Sequence, residues 1–214
     1  MNILIFGPPG SGKGTQAELL VEKYDLFLID IGSILREFAK GDNELAKEIG
    51  KNLTAGKLIS DELVNKVIYQ HLSQSQWDQL LFDGYPRTLA QWMTLRQMLK
   101  EKETKIDAAI YLELSEEMCL SRIENRILSK TSGKIFNKIS VPPPESWPSD
   151  DLYFRNDGTP EALKVRFLQF QEITTLLIEE FDRDNILVKI NADASIGEIH
   201  EEIVRSLNEK GLDV

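Results

Sequence analysis

The sequence predicts an α/β fold, a parallel sheet with helices packed on both faces. Three observations carry this. Short apolar runs that read as strands alternate with longer segments of helical period. The first such run ends in a glycine-rich loop, GPPGSGKGT (Gly7 to Thr15), that opens directly into a helical segment. The run LLFD places Asp83 at the end of a later strand, on the same edge of the sheet as that loop. In parallel sheets, ligands gather beyond the carboxyl ends of the strands.

Element by element, Asn2 to Phe6 is apolar and is stopped by Gly and Pro, so it reads as a buried strand. From Lys13 to Tyr24 the apolar residues Ala17, Leu20, Val21 and Tyr24 recur at helical spacing. Leu26 to Ile29 reads as the second strand. Helices are expected over Ser33–Lys40, Glu44–Thr54 and Asp61–Leu72, and a strand over Leu80–Phe82. Leu89–Leu99 is helical, Ala108–Leu114 a strand and Glu116–Leu128 a helix. Ser129 to Gly158 holds four prolines and no helical period. Loops of such length are uncommon in compact domains unless they act as lids, although VPPPESWP also fits a stiff interaction peptide. Thr159 as N-cap and Pro160 at the first helical position open a long helix to Phe181. Ile186–Ile190 is the last strand and Ser195–Asn208 the last helix.

The chain has 214 residues, 42% hydrophobic and 28% charged, enough for one compact unit with its own core. A net charge of -10 argues against nucleic acid as a partner, since such binders carry a basic face. The single cysteine, Cys119, excludes an internal disulfide and is expected to pack on a helix face; zinc spacing is absent. MNILIF lacks a basic leader and does not read as a signal peptide. No stretch approaches the roughly 20 apolar residues of a membrane span. A cytoplasmic protein without membrane contact is expected.

Gly7, Gly10, Gly12 and Gly14 let the backbone wrap a phosphate with its amides, and Lys13 adds a mobile charge. The familiar P-loop carries Ser or Thr directly after the Lys, to bind magnesium. Here Gly14 intervenes and the hydroxyl, Thr15, comes one place later. Asp83 sits where a P-loop enzyme keeps the acid that holds magnesium, although a helix cap or a turn also suits it.

The ordered segments GPPGSGKGTQ, GSILR, GKLISDELV and FDGYPRT with Gln91, then RIENR, SGKIFNKISVPPP, Arg155 and Arg166, resemble the long-lid form of the adenylate kinase family from residue 1 to about 210. The resemblance implies a P-loop nucleoside triphosphate hydrolase-like sheet with a helical acceptor-binding insert and a lid. Residues 1–29, 60–121 and 160–214 would form the core, 30–59 the insert and 122–159 the lid. It implies reversible transfer of the terminal phosphoryl group of Mg-ATP to AMP, giving two ADP, by a monomer. Gly10, Ser11, Gly12, Lys13, Gly14, Thr15, Arg122 and Arg126 would bind ATP. Ile31, Gly32, Arg36, Lys57, Leu58, Ile59, Gly84, Arg87, Gln91, Arg155 and Arg166 would bind AMP. Lys13, Arg87, Arg126, Arg155 and Arg166 would act on the transferring group. In this family GKGT is the natural loop, and magnesium is held largely through waters, with Asp83 anchoring them. No zinc is implied.

The chain departs from the family pattern at several positions. The usual Thr-Gly-Asp reads Ile31-Gly32-Ser33, which removes a hydroxyl beside the acceptor base and an acid near the metal. The second hinge Arg is Ile127, the lid His is Asn137, and an Asp pair becomes Asp157-Gly158. Two alternatives therefore stay open. One is a kinase for UMP, CMP or GMP; the other is a nucleotide-binding regulator of low activity on the same fold. His71 and His200 match no catalytic position.

Overall fold

The computed structural model describes residues 1–73, 77–132, 134–138, 141–153 and 160–212. Its main sheet is five-stranded and parallel, in the order β2-β3-β1-β4-β8. The strands are β1 (Asn2–Phe6), β2 (Phe27–Asp30), β3 (Leu80–Asp83), β4 (Ala108–Glu113) and β8 (Leu187–Asn191). Between them run α1 (Lys13–Tyr24), α2 (Ile31–Phe38), α3 (Glu44–Thr54), α4 (Asp61–Leu72), α5 (Leu89–Glu101) and α6 (Glu116–Glu124). α7 (Pro160–Gln169), α8 (Leu176–Arg183) and α9 (Ile196–Glu209) complete the helices.

Strand periodicity divides the core. Along β1, Leu4 and Phe6 join Ile29, Phe82, Leu95 and Phe181 on one face. Ile3 and Ile5 join Ala17, Leu20, Ile110 and Ile203 on the other. Successive side chains of a strand point to opposite faces, so each run of apolar residues fills two layers. The P-loop strand β1 is central, and the carboxyl ends of β1, β2 and β3 form one rim.

Three local expectations shift. β2 begins one residue later and takes in Asp30, whose side chain accepts from Ser33 N at 3.0 Å and so starts α2 at Ile31 rather than Ser33. α6 stops at Glu124 instead of Leu128. Residues Arg126–Ser129 become strand β5, which pairs antiparallel with β6 (Ile135–Asn137) and β7 (Leu152–Tyr153). Ladders on both sides of β5 satisfy backbone groups that a last helical turn would leave open. The long helix from Pro160 is interrupted by a π turn at Phe170–Thr174. There Thr175 N bonds Phe170 O at 3.0 Å, and the Thr175 hydroxyl donates back to Gln171 O. The proposed cap at Thr159 lies outside the described residues.

The small sheet β6-β5-β7 has its own centre. Phe136 and Trp147 meet edge to face at 4.9 Å, under the Lys134 ammonium. The buried Asp151 carboxylate accepts from Thr131 N and Trp147 Nε1, both at 2.8 Å. Hydrogen bonding from Ser129 is the first cause holding its carboxyl well below the usual carboxylate range. A depressed folded value gives stability that is present at neutral pH and lost in strong acid. Asp151→Asn is therefore expected to speed proteolysis within residues 129–153 several-fold, while thermal unfolding of the main sheet stays unchanged. Among the described residues no helix is long and apolar enough to cross a membrane.

Candidate active site

The glycine loop joins β1 to α1 and is closed by Ser11 N donating to Pro8 O at 3.2 Å. Gly12 caps α1 at φ 96, a left-handed conformation that L side chains rarely adopt. The free amides of the first turn therefore face the rim of the sheet. Lys13 Nζ is folded inward, donating to Gly7 O at 2.9 Å and Pro8 O at 2.8 Å. Burial lowers it from 10.5 to about 8; the Asp83 carboxylate opposes the shift, and Arg166 and Arg87 reinforce it. Those influences place Lys13, Asp83, Arg87 and Arg166 within one electrostatic neighbourhood.

Asp83 closes β3, in register with Ile5 of β1 on one side and Asp30 of β2 on the other. Burial pushes its carboxyl up to about 6; Lys13 works against this and Asp30 adds to it. Asp83 Oδ2 and Ile135 Cδ1 each lie 3.8 Å from where a Cβ on Gly14 would sit. Gly14 thus keeps clear a gap between the loop, the acid and the small sheet.

Across the rim, α2 and the turn after β3 bring two arginines together with two glycines. Arg36 donates to Ser33 Oγ at 2.8 Å and lies 3.7 Å from Asp30 Oδ2. Arg87 Nε donates to Gly84 O at 2.8 Å. A Cβ on Gly32 would stand 3.0 Å from the Arg36 guanidinium, and one on Gly84 2.9 Å from that of Arg87. Ile31, buried at 2% exposure, packs beneath Gly84. Gln91, in the first turn of α5, is buried with its amide bonded at both ends. Lys57 is exposed, Leu58 is half-buried and Ile59 enters the core. They follow Gly56, which abuts α7 at Ala162 and Arg166.

On the other side of the glycine loop, Arg122 of α6 donates to Ala192 O at 2.7 Å and to Ser11 O at 3.5 Å. Arg126 opens β5 opposite Asn137. Thr15 is half-buried in the first turn of α1, where the loop ends.

An "Adenylate kinase" family model matches residues 5–186. The protein named adenylate kinase from Pseudothermotoga lettingae is 35% identical over 212 residues, covering 97% of this chain and 98% of the relative. That from Petrotoga mobilis is 34% identical over 217 residues, covering 98% and 100%. That from Archaeoglobus fulgidus is 35% identical over 208 residues, covering 95% and 96%. The chain belongs to the adenylate kinase family. It is a nucleoside monophosphate kinase, a phosphotransferase built on a parallel sheet with helices on both faces.

Among the adenylate kinase positions expected from the sequence, those of the loop, α2, the β3–α5 turn and α7 converge on one rim. Arg155, Asp157 and Gly158 lie outside the described residues. Among the described residues no group of three or more His, Cys, Asp or Glu is placed to hold a metal directly.

Sequence reasoning missed two acids. Asp30 brings a second carboxylate beside Asp83, so the charge absent at Ser33 is present three residues earlier. Its signal was an acid immediately before a helical run, the usual mark of an N-cap. Asp61, the first residue of α4, bonds Thr88 and Gln91. Nothing local in the sequence marks a contact spanning thirty residues.

Proposed function

We propose that the chain catalyses Mg-ATP + AMP ⇌ 2 ADP by direct in-line transfer. An oxygen of the AMP phosphate forms the new bond to the terminal phosphorus of ATP as the bridging bond breaks, and ADP leaves on each side. The acceptor oxygen is already anionic, so no strong base is required. Catalysis is then positioning plus stabilisation of charge on the moving group. The observation that carries this reading is the convergence of Lys13, Asp83, Arg87 and Arg166 at the carboxyl ends of β1 and β3.

In this reading the loop amides of Gly10–Thr15 hold the ATP phosphates, and Lys13 turns from its own loop carbonyls to them. Arg122 and Arg126 bind the donor. Arg36 and Arg87 grip the acceptor phosphate, because a guanidinium fork matches a phosphate bidentately. Gly32, Gly84 and the 57–59 segment give the acceptor backbone access. Arg166, with Arg155, approaches the transferring group. Residues 30–59 act as the acceptor-binding insert and 122–159 as the lid, which excludes water that would hydrolyse the phosphoryl group.

Two carboxylates held side by side, one with its proton affinity raised by burial, suit a hard, oxygen-liganded cation. Asp83 and Asp30 would hold Mg2+ through its waters, and the ion would neutralise charge across the ATP phosphates. Asp30 also weighs against the low-activity regulator, part of whose case was the missing acid at Ser33.

A coupled assay with Mg-ATP and each of AMP, UMP, CMP and GMP tests the reading. ADP formation with AMP far above the other acceptors is expected. Preference for another acceptor makes Ile31 a residue that redirects base choice, and ATP binding without transfer to any acceptor overturns the proposal.

A further inference from the structure

We infer that Asp61 is a positioning residue for base selection, because it fixes which way round the Gln91 amide faces. This rests on the reading of Gln91 as a contact of the acceptor base. Gln91 is 2% exposed, so its amide cannot turn into solvent to satisfy itself. Arg87 N donates to Gln91 Oε1 at 2.7 Å, and Gln91 Nε2 donates to Asp61 Oδ1 at 2.8 Å. The second oxygen of Asp61 accepts from the Thr88 hydroxyl at 2.9 Å. That hydroxyl in turn accepts from Gln91 N at 3.1 Å and caps α5. Asp61 and Thr88 thus clamp α4 to the first turn of α5 around one amide.

The donor and acceptor inventory shows why the orientation is locked. An amide oxygen accepts twice and an amide nitrogen donates twice. A backbone N–H can only donate, and an ionised carboxylate can only accept. Turning the Gln91 amide over would set its NH2 against the Arg87 N–H and its oxygen against the Asp61 carboxylate. Both contacts would become repulsive in a buried place. In the observed orientation one lone pair on Oε1 and one N–H on Nε2 remain for a ligand.

A base with an amino group beside an unprotonated ring nitrogen, as in adenine, needs an acceptor and a donor in one order. A base with a carbonyl beside a ring N–H needs them reversed. An amide that cannot turn distinguishes the two, and one that can turn accepts both. Ile31 offers no side-chain hydroxyl, so the fixed Gln91 amide carries more of the discrimination.

The test compares AMP with inosine monophosphate, which differs only in carrying a carbonyl and ring N–H at those positions. In Asp61→Ala the AMP-to-IMP ratio of kcat/KM is expected to fall by about tenfold or more. The fall should come through a higher KM for AMP, with kcat within a few-fold. Asp61→Asn, whose carbonyl can still accept from Gln91 Nε2, is expected to restore most of the ratio. ATP affinity and the thermal midpoint, measured for both variants, report whether the fold and the donor site survive. An unchanged ratio in a folded Asp61→Ala that binds ATP normally overturns the inference and leaves the acceptor reading intact. If both variants unfold, Thr88→Val, which removes one arm of the clamp, must narrow the ratio or the inference fails. A wild-type protein that does not prefer AMP over IMP sinks the acceptor reading, and this inference with it.

Discussion

Lys13→Ala is expected to lower kcat by about a thousandfold or more, the scale seen when a charge that meets the transferring phosphoryl group is removed. The fold should survive, because in the ligand-free protein the hydrogen bonds of Nζ run within its own loop, to the carbonyls of Gly7 and Pro8 and the Ser11 hydroxyl. The wild-type pH profile carries a further signature. Asp83, raised to about 6, must be ionised to attract a cation, so kcat/KM should fall tenfold per unit as pH drops below about 6. Lys13, lowered to about 8, must be protonated to bind phosphate, so kcat/KM should fall again above about 8. Bound phosphates favour the charged Lys, so the alkaline limb of kcat should lie at higher pH than that of kcat/KM.

The acid limb can be separated from protonation of the nucleotides. It should vanish from the residual activity of Asp83→Asn, whereas a limb that belongs to the nucleotides stays. The same group has a stability consequence. A carboxyl whose folded value is raised contributes stability below its unfolded value, and loses that contribution as pH climbs to about 6. Asp83→Asn should therefore raise the thermal midpoint at pH 7.5 and leave it unchanged at pH 4. A lower midpoint at pH 7.5 would mean that the attraction of Lys13 outweighs burial.

Gly56→Ala is expected to raise the KM for the acceptor at least tenfold while ATP affinity stays unchanged. Gly56 has φ +70, and a Cβ there would stand 2.5 Å from Ala162 O and 2.9 Å from Arg166 Cγ. The left-handed backbone costs a non-glycine residue about 1–2 kcal/mol. The collision is with helix backbone, which cannot rotate away, and overpacking of this kind costs about 1–3 kcal/mol more. The added methyl pushes residues 57–59 away from α7 and disturbs Arg166. Acceptor titrations followed by initial rates, beside ATP titrations of the same variant, check this. Normal acceptor KM would show that the segment moves away from α7 before acceptor binds.

Much of this was legible along the chain. GPPGSGKGT between an apolar run and a helical period marked a loop built for phosphate, since glycines at that spacing have few other uses. The boundaries of α1, read from its apolar spacing, and those of α3 and α4 match the sequence reading, and Ser195 was read correctly at the start of the last helix, where it forms a capping box with Glu198. Asp83 was found because its strand ends in an acid. Arg36 and Arg87 were read from short, contiguous motifs, and the fold sets them in α2 and in the turn after β3.

Other features depended on segments distant in the chain. Leu128 has the apolar spacing of α6, yet backbone partners from residues 135–137 and 152–153 drew 126–129 into a strand. Asp30 became part of the rim only because β2 lies beside β3, which set it level with Asp83. The lowered Lys13 and the raised Asp83 arise from burial, which each group's charge only partly offsets in the other, and no window of sequence contains both groups. The orientation of Gln91 comes from Asp61, thirty residues earlier. Local pattern reports what neighbouring residues prefer: period, cap, turn and motif. Desolvation, charge coupling and competition for hydrogen bonds depend on what chain folding brings within a few ångströms, and on this rim they govern the chemistry.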